Sequence, residues 1–122
     1  MASIRVVTRG ELIENVPTPG MERLEGESDG TRIIAVRTDP GLVSGWHHHG
    51  AYATYGYVIS GRLRLESGPG GTSVVEAGPG DFFVVPPDTI HRESNPAEDE
   101  QLVVGFRVGS GATVINVEGP DG

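Results

Sequence analysis

Residues 41–61 read GLVSGWHHHGAYATYGYVISG and contain three of the four histidines of this 122-residue chain. His47 and His49 are separated by one residue. Side chains on an extended strand alternate between its two faces, so both imidazoles are expected to point the same way. The pair therefore predicts one half of a metal site. His48 faces the opposite way on the same strand and is expected at the surface.

A second histidine-bearing stretch, residues 80–95, reads GDFFVVPPDTIHRESN. His91 follows its Pro-Pro turn and can supply the third ligand. Glu93 lies two residues further along the same strand, so we expect its carboxylate to point into the interior with His91. There it can hydrogen-bond a ligand histidine, bind a water on the metal or act as a general base. The alternative is that the strand opens at this point and Glu93 is solvated.

The composition excludes several kinds of protein. There is no cysteine, which rules out thiolate chemistry and disulfides and favours a reducing, cytoplasmic location. The N-terminal residues lack the apolar run of a signal peptide, and no segment is apolar enough to suggest a membrane span. The formal net charge is -8 and the nine basic residues, all arginine, are scattered. We therefore expect neither nucleic acid nor a membrane as a partner.

Short segments rich in β-branched residues alternate with turns formed from 19 glycines and 9 prolines. This pattern predicts about ten short strands and no helix, as in an all-β sandwich or barrel. Residues 3–12 are expected to form the first strand and residues 113–117 the last. The polar residues 22–30 predict a solvated loop or a ragged edge strand.

The strand after the first histidine pair has a clear predicted orientation. Thr54 and Gly56 should face inward, where Gly56 leaves room for a ligand, whereas Tyr55 and Tyr57 should face outward. An outward position favours a role for these two tyrosines in an interface. Tyr52 is expected at the mouth of the site, where its phenol can serve catalysis.

The two histidine-bearing stretches resemble the two motifs of the cupin family. The first motif has the order Gly, five residues, His, one residue, His, three or four residues, Glu, six residues, Gly. The second has the order Gly, five residues, Pro, one residue, Gly, two residues, His, three residues, Asn. The residues that match are Gly41, His47, His49, Gly61, Gly80, Pro86, His91 and Asn95. Two positions depart from the pattern, because Thr54 stands at the Glu and Asp88 at the inner Gly.

The resemblance implies a double-stranded β-helix, also called a jelly-roll β-barrel. It implies one cupin domain over residues 1–122, with an N-terminal arm at 1–30, a barrel at about 31–118 and a flexible tail at 119–122. In similar small cupins such arms often pair across a dimer, so a homodimer is expected.

The resemblance also implies a metal site formed by His47, His49 and His91, without the carboxylate that most such cupins add. Fe(II) is the favoured ion, and Zn(II), Ni(II), Mn(II) and Cu(II) also suit imidazole ligands. The predicted function is a dioxygenase-like enzyme acting on a small organic molecule, with Glu93 and Tyr52 as candidate catalytic residues. Two alternatives remain open: a non-redox, metal-dependent isomerase or cyclase, and a non-enzymatic module that binds a small molecule or a metal.

Overall fold

The computed structural model describes residues 3–112 and 114–120. The described residues form eleven strands and two short 3-10 helices. The strands are β1 (Ile13–Glu14), β2 (Met21–Ser28), β3 (Thr31–Thr38), β4 (His47–His48), β5 (Ala53–Ser60), β6 (Leu63–Ser67), β7 (Ser73–Ala77), β8 (Phe82–Val85), β9 (His91–Ser94), β10 (Gln101–Val108) and β11 (Ile115–Asn116). The 3-10 helices are Arg9–Glu11 and Pro69–Gly71. The prediction of an all-β chain is therefore confirmed.

The strands form two sheets in which all pairings are antiparallel. The first sheet has the order β1-β2-β3-β10-β5-β8, and the second has the order β11-β4-β9-β6-β7. Strands distant in sequence are neighbours in both sheets, as in a jelly roll. The arrangement brings β4 and β9, the two histidine-bearing strands, together in the second sheet.

The apolar core lies between the sheets and is formed by alternate residues of the longer strands. Its buried members are Val58, Leu63, Leu65, Ala77, Val85 and Val103, with the ring of Phe83 packed against them. Burying a valine, leucine or phenylalanine side chain stabilises the folded state by about 1.5–3 kcal/mol relative to leaving it exposed. The core therefore holds the two sheets at a fixed separation, on which the site between them depends.

Phe83 also explains the glycine at position 56. Gly56 faces inward as predicted, but a Cβ at this position would lie 2.2 Å from the Phe83 ring. The predicted reason for Gly56, room for a ligand, is therefore wrong. The space beside this glycine is filled by an aromatic core residue from the neighbouring strand β8.

The N-terminal region differs from the predicted first strand at residues 3–12. Residues 3–8 pair with no other strand, and the side chain of Ile4 is fully exposed. Thr8 and Glu11 instead form a capping box around the short helix Arg9–Glu11. Only β1 joins the sheet, at the edge of β2. Alternation of apolar residues predicted a strand here. A segment becomes a strand, however, only where a neighbouring strand offers backbone N–H and C=O groups for it to pair with.

Of the two forms predicted for the polar residues 22–30, a solvated loop or a ragged edge strand, the structure has a strand near the sheet edge. Most of this stretch belongs to β2, a regular eight-residue strand that pairs with β3 along its whole length. It is not a solvated loop, because Arg23 and Glu25 are buried inside the barrel. The predicted arm at residues 1–30 thus contributes two strands, β1 and β2, to the first sheet.

At the other end of the chain, β11 forms within the predicted last strand, residues 113–117, although Thr113 itself lies outside the described residues. The predicted flexible tail, residues 119–122, lies partly outside them as well. Among the residues that the structure describes, no helix has the length and apolar character needed to cross a membrane.

Candidate metal centre

Three histidines converge between the sheets. His47 on β4 lies directly opposite His91 on β9 in the antiparallel ladder, and His49 follows the end of β4. One ligand atom from each of the three lies within 4.8 Å of the others. Their side chains are buried. The sequence prediction that these histidines lie together is confirmed, and their assignment as metal ligands remains a prediction.

Backbone carbonyls orient two of the rings. His47 Nδ1 lies 2.9 Å from the Gly45 carbonyl oxygen, and His91 Nδ1 lies 2.8 Å from that of Thr89. Because a carbonyl oxygen only accepts hydrogen bonds, each Nδ1 carries the proton and donates it. In the neutral ring, Nε2 then carries a lone pair. Burial is the main reason that the pKa of His91 is lowered, although the Glu93 carboxylate opposes this effect.

The donor set fits a divalent transition metal. His47 Nε2 is buried and has no hydrogen-bond partner, which normally costs free energy. A metal ion would satisfy this atom, since a ligating histidine characteristically donates its other ring N–H to a backbone carbonyl. Imidazole nitrogens suit Fe(II), Zn(II), Ni(II), Mn(II) and Cu(II), so the ligands alone do not select one ion.

His48 faces away from this cluster, as predicted. Its Nδ1 accepts a hydrogen bond of 3.0 Å from the Gly50 backbone N–H, and the side chain is half-buried outside the site. The structure thus separates the middle histidine from its two neighbours. Strand alternation alone explains the difference.

Backbone hydrogen bonds join the two histidine-bearing segments on both sides of the site. Asn95 N–H donates to the Leu42 carbonyl at 3.0 Å, and Gly41 N–H donates to the Asn95 carbonyl at 2.8 Å. On the other side, Asp88 N–H donates to the Gly50 carbonyl at 2.7 Å. Asp88 has a φ of 55°, in the left-handed region. Aspartate tolerates this conformation better than most residues, so it can stand at a glycine position.

Glu93 points into the interior, as the alternation of β9 predicts. Its Oε1 lies 3.6 Å from His47 Nε2, and the side chain is 20% exposed. Burial alone would raise the pKa of Glu93, but the positive charges that His47, His91, His49 and Arg23 can carry lower it to about 2. The carboxylate is therefore ionised beside the histidines.

A small cavity of about 20 Å³ lies next to the histidines. Its polar lining includes His49 and His91 and three charged residues, Arg23, Glu93 and Arg107. Such a volume holds little more than one water molecule or ion. The site is therefore a compact polar chamber within the apolar core.

Sequence reasoning missed the arginines of this chamber. Arg107 Nη1 donates to Glu25 Oε1 at 2.8 Å, and Arg107 Nε donates to Thr54 Oγ1 at 3.2 Å. Arg23 Nη1 donates to the Val16 carbonyl at 2.9 Å. Arg23, Glu25 and Arg107 are all buried. Strand alternation could have revealed them, because Arg23 shares the inward parity of Met21, and Arg107 that of Val103.

The predicted catalytic Tyr52 adjoins the site through its backbone, because its N–H donates to the His49 carbonyl at 3.1 Å. It is buried, accepts a hydrogen bond from the Arg32 side chain, and is not among the described residues that line the chamber. Tyr55 and Tyr57 face outward as predicted, and the Tyr57 ring contacts that of Phe82 with centroids 4.9 Å apart. The structure thus brings the Glu93 carboxylate to the histidines, whereas a catalytic role for Tyr52 remains a prediction.

Comparison with known families agrees with this architecture. The family model described as cupin domain matches residues 35–119, which include both histidine-bearing segments and most of the barrel. The chain belongs to the cupin family. No curated protein matches the sequence of this cupin.

Solved structures share the fold of this cupin at low sequence identity. An uncharacterized conserved protein with a double-stranded beta-helix domain from Klebsiella pneumoniae is 20% identical, with a TM-score of 0.67 over 93% of this chain and 90% of that one. KdgF from Halomonas sp. is 24% identical, with a TM-score of 0.68 over 88% and 96%.

A larger protein also contains this fold. Oxalate decarboxylase from Bacillus subtilis, an enzyme with Mn(II) centres, is 18% identical to this cupin, with a TM-score of 0.75 over 86% of this chain. The match covers only 30% of the decarboxylase chain. At these identities the three structures establish the double-stranded β-helix fold and nothing finer.

Proposed function

We propose that this cupin is a metal-dependent oxygenase of a small organic molecule, with Fe(II) held by His47, His49 and His91. The observation that carries this proposal is the cluster of three buried histidines whose ligand atoms lie within 4.8 Å of one another. Fe(II) held in this way would supply redox chemistry with dioxygen at its open coordination positions.

The residues around the histidines would perform three tasks. The carbonyls of Gly45 and Thr89 orient the rings of His47 and His91 through their Nδ1 protons. The apolar wall, which includes Val85 and Val103, excludes bulk water from the chamber. The small volume admits a compact substrate or the reacting end of a larger one, so a larger substrate requires movement of the wall.

Metal analysis tests this proposal. Untagged protein, prepared under low oxygen without added metal or chelator, is expected to contain close to one iron per chain. Oxygen consumption should then appear with a suitable small organic substrate and disappear after iron removal. Protein that takes up no iron even on anaerobic reconstitution would contradict the proposal. A polyhistidine tag has to be avoided because it binds metals itself.

One observation favours a second candidate, a non-redox isomerase or cyclase. The ionised Glu93 carboxylate beside the histidines could accept a proton from a substrate whose carbonyl is polarised by Zn(II) or another Lewis acid. Zinc bound at one ion per chain, with substrate conversion that proceeds without oxygen, would favour this candidate over the oxygenase. Binding without conversion would leave a small-molecule or metal-binding module.

We also propose that the protein is a homodimer formed through the outer face of the first sheet. Val84, Tyr55, Phe106 and Ile33 are successive partners across β8, β5, β10 and β3, and so form one row on that face. A parallel row contains Phe82, Tyr57, Val104 and Ala35. Exposed aromatic and aliphatic patches of this kind are typical of interfaces.

The unpaired N-terminal segment supports a second copy as the partner. Ile4 and Val6 of residues 3–8 are highly exposed, and Arg9 and Leu12, just beyond them, line the groove over these rows. A dimer would cover both the sheet face and the apolar residues of the segment. The same surface of each subunit would then meet its counterpart, as in a twofold-symmetric interface.

Phe106→Asp tests the dimer. Phe106 is exposed in the single chain, so the substitution should leave the fold intact while placing a charge in the centre of the interface. Light scattering coupled to gel filtration should show a dimer for the wild type and a monomer for the variant. Val75→Asp is the matched control, because Val75 is exposed on β7 of the other sheet and should leave the dimer unchanged. A monomeric wild type, or a dimeric Phe106→Asp variant, would refute this interface.

A further inference from the structure

We propose that Glu93 binds the metal directly, as a fourth protein ligand beside the three histidines. The inference rests on the proposed metal-binding function and assigns Glu93 a more specific role than general base or hydrogen-bond partner. Its basis is the position of the Glu93 carboxylate, the tautomer of His47 and the charge of the chamber.

The backbone around Glu93 fixes the direction of its side chain. Glu93 is the register partner of the buried Leu65 on β6, so both side chains lie on the inner face of the sheet. Glu93 N–H donates to Ser44 Oγ at 3.0 Å, and its carbonyl accepts from Ser44 N–H at 2.8 Å. The preceding Arg92 faces outward and pairs with Glu66. The carboxylate is therefore directed to the histidines by a strand paired on both sides.

The separation of the donor atoms is that of two ligands on one ion. Atoms that each bind a metal at about 2.0–2.2 Å, with an angle of about 90–120° between the bonds, lie about 2.8–3.8 Å apart. Glu93 Oε1 and His47 Nε2 are 3.6 Å apart, which is too far for a good hydrogen bond. A cation between them would contact both atoms.

The hydrogen bond of His47 Nδ1 leaves Nε2 as the atom that faces the Glu93 carboxylate. The His47 Nδ1 proton is given to the Gly45 carbonyl, so the neutral ring presents a lone pair at Nε2. That lone pair and the carboxylate oxygen are both electron-rich, and they repel unless a positive charge lies between them. A metal ion removes this repulsion and gives the buried, unpartnered Nε2 a bond.

The charge of the chamber agrees with direct binding. Three neutral imidazoles leave the charge of a divalent ion uncompensated, and the arginines in the wall add positive charge. Glu25 does not compensate for it, since its carboxylate pairs with Arg107 and accepts a hydrogen bond from Asn15. Glu93 is the acid that lines the chamber among the described residues. One negative ligand would lower the cost of burying the ion.

Co(II) is a suitable probe because its visible absorption reports the ligand set independently of any enzymatic activity. Glu93→Gln should lower the Co(II) affinity by more than about 100-fold, beyond the 10- to 100-fold typical of a partner that touches only a ligand. At saturating Co(II), the variant should also show a different absorption spectrum. Glu93→Asp keeps the charge on a shorter side chain and should have an intermediate affinity for Co(II). It also provides a second variant if Glu93→Gln folds poorly.

Glu66→Gln is the matched control, because Glu66 is a carboxylate on the outer face of the neighbouring strand. It should change neither the Co(II) affinity nor the spectrum. If Glu93→Gln retains both the wild-type spectrum and an affinity within about 100-fold, Glu93 is not a ligand. In that case loss of Co(II) from His91→Ala would still support the three-histidine site, whereas tight binding by His91→Ala as well would overturn the metal centre itself.

Discussion

Replacement of His91 with alanine is expected to abolish most metal uptake. His91 provides one of three clustered imidazoles, and its Nδ1 is already engaged with the Thr89 carbonyl, so its Nε2 is the atom left to bind. Removing a direct ligand should weaken binding by more than the 10- to 100-fold typical of a partner behind a ligand. Metal content after purification and calorimetric titration with Zn(II) both measure the effect.

His48→Ala is the natural control for this experiment. It removes an imidazole from the same strand as His47, but one that faces out of the site. Metal uptake should stay close to that of the wild type, and circular dichroism should show that both variants are folded. Near-stoichiometric metal in His91→Ala would refute the three-histidine assignment.

The second large effect is expected from Arg107→Met. Arg107 and Glu25 form a buried ion pair whose side chains are each 6% exposed. Removing the guanidinium breaks the buried ion pair while the Glu25 carboxylate stays buried, and changes of this kind cost about 3–5 kcal/mol of unfolding free energy. Urea unfolding followed by tryptophan fluorescence would measure the loss, with Trp46 as the single tryptophan.

A double variant separates the pair from the packing around it. Glu25→Leu combined with Arg107→Met removes both charges and should recover much of the lost stability, because a buried pair often contributes little beyond an apolar replacement. Arg37→Met breaks an exposed pair with Asp39 and should have a much smaller effect. Equal losses in Arg107→Met and the double variant would mean that the ion pair itself contributes nothing to the cost of the single substitution.

Strand alternation made the inward or outward direction of several side chains predictable from the sequence. His47, His91 and Glu93 point inward because each lies at the correct parity on a short strand, and His49 keeps that parity just beyond the end of β4. Tyr55 and Tyr57 face outward for the same reason. These orientations depend on local backbone geometry, which a strand imposes whatever lies across the barrel.

Strand alternation gives the inward parity of Arg23 and Arg107, but whether such charged side chains are buried depends on partners distant in sequence. Arg23 and Glu25 lie in a charged stretch that resembles a solvated loop. They are buried because β2 joins the sheet and Arg107, 82 residues after Glu25, supplies the opposite charge. The role of Gly56 was also hidden, since it depends on how the Phe83 ring packs across β5 and β8.

The backbone bonds between the two histidine-bearing segments have a consequence for engineering. Because Asn95 is bonded to Leu42 and Gly41, and Asp88 to Gly50, neither segment can shift without moving the other. An exchange of loops with a related barrel, made to change the substrate specificity, would therefore succeed only when both histidine-bearing segments are exchanged together. A change of length in the Pro86–Pro87 turn alone would disturb the ring positions of His47 and His49 although it touches neither residue.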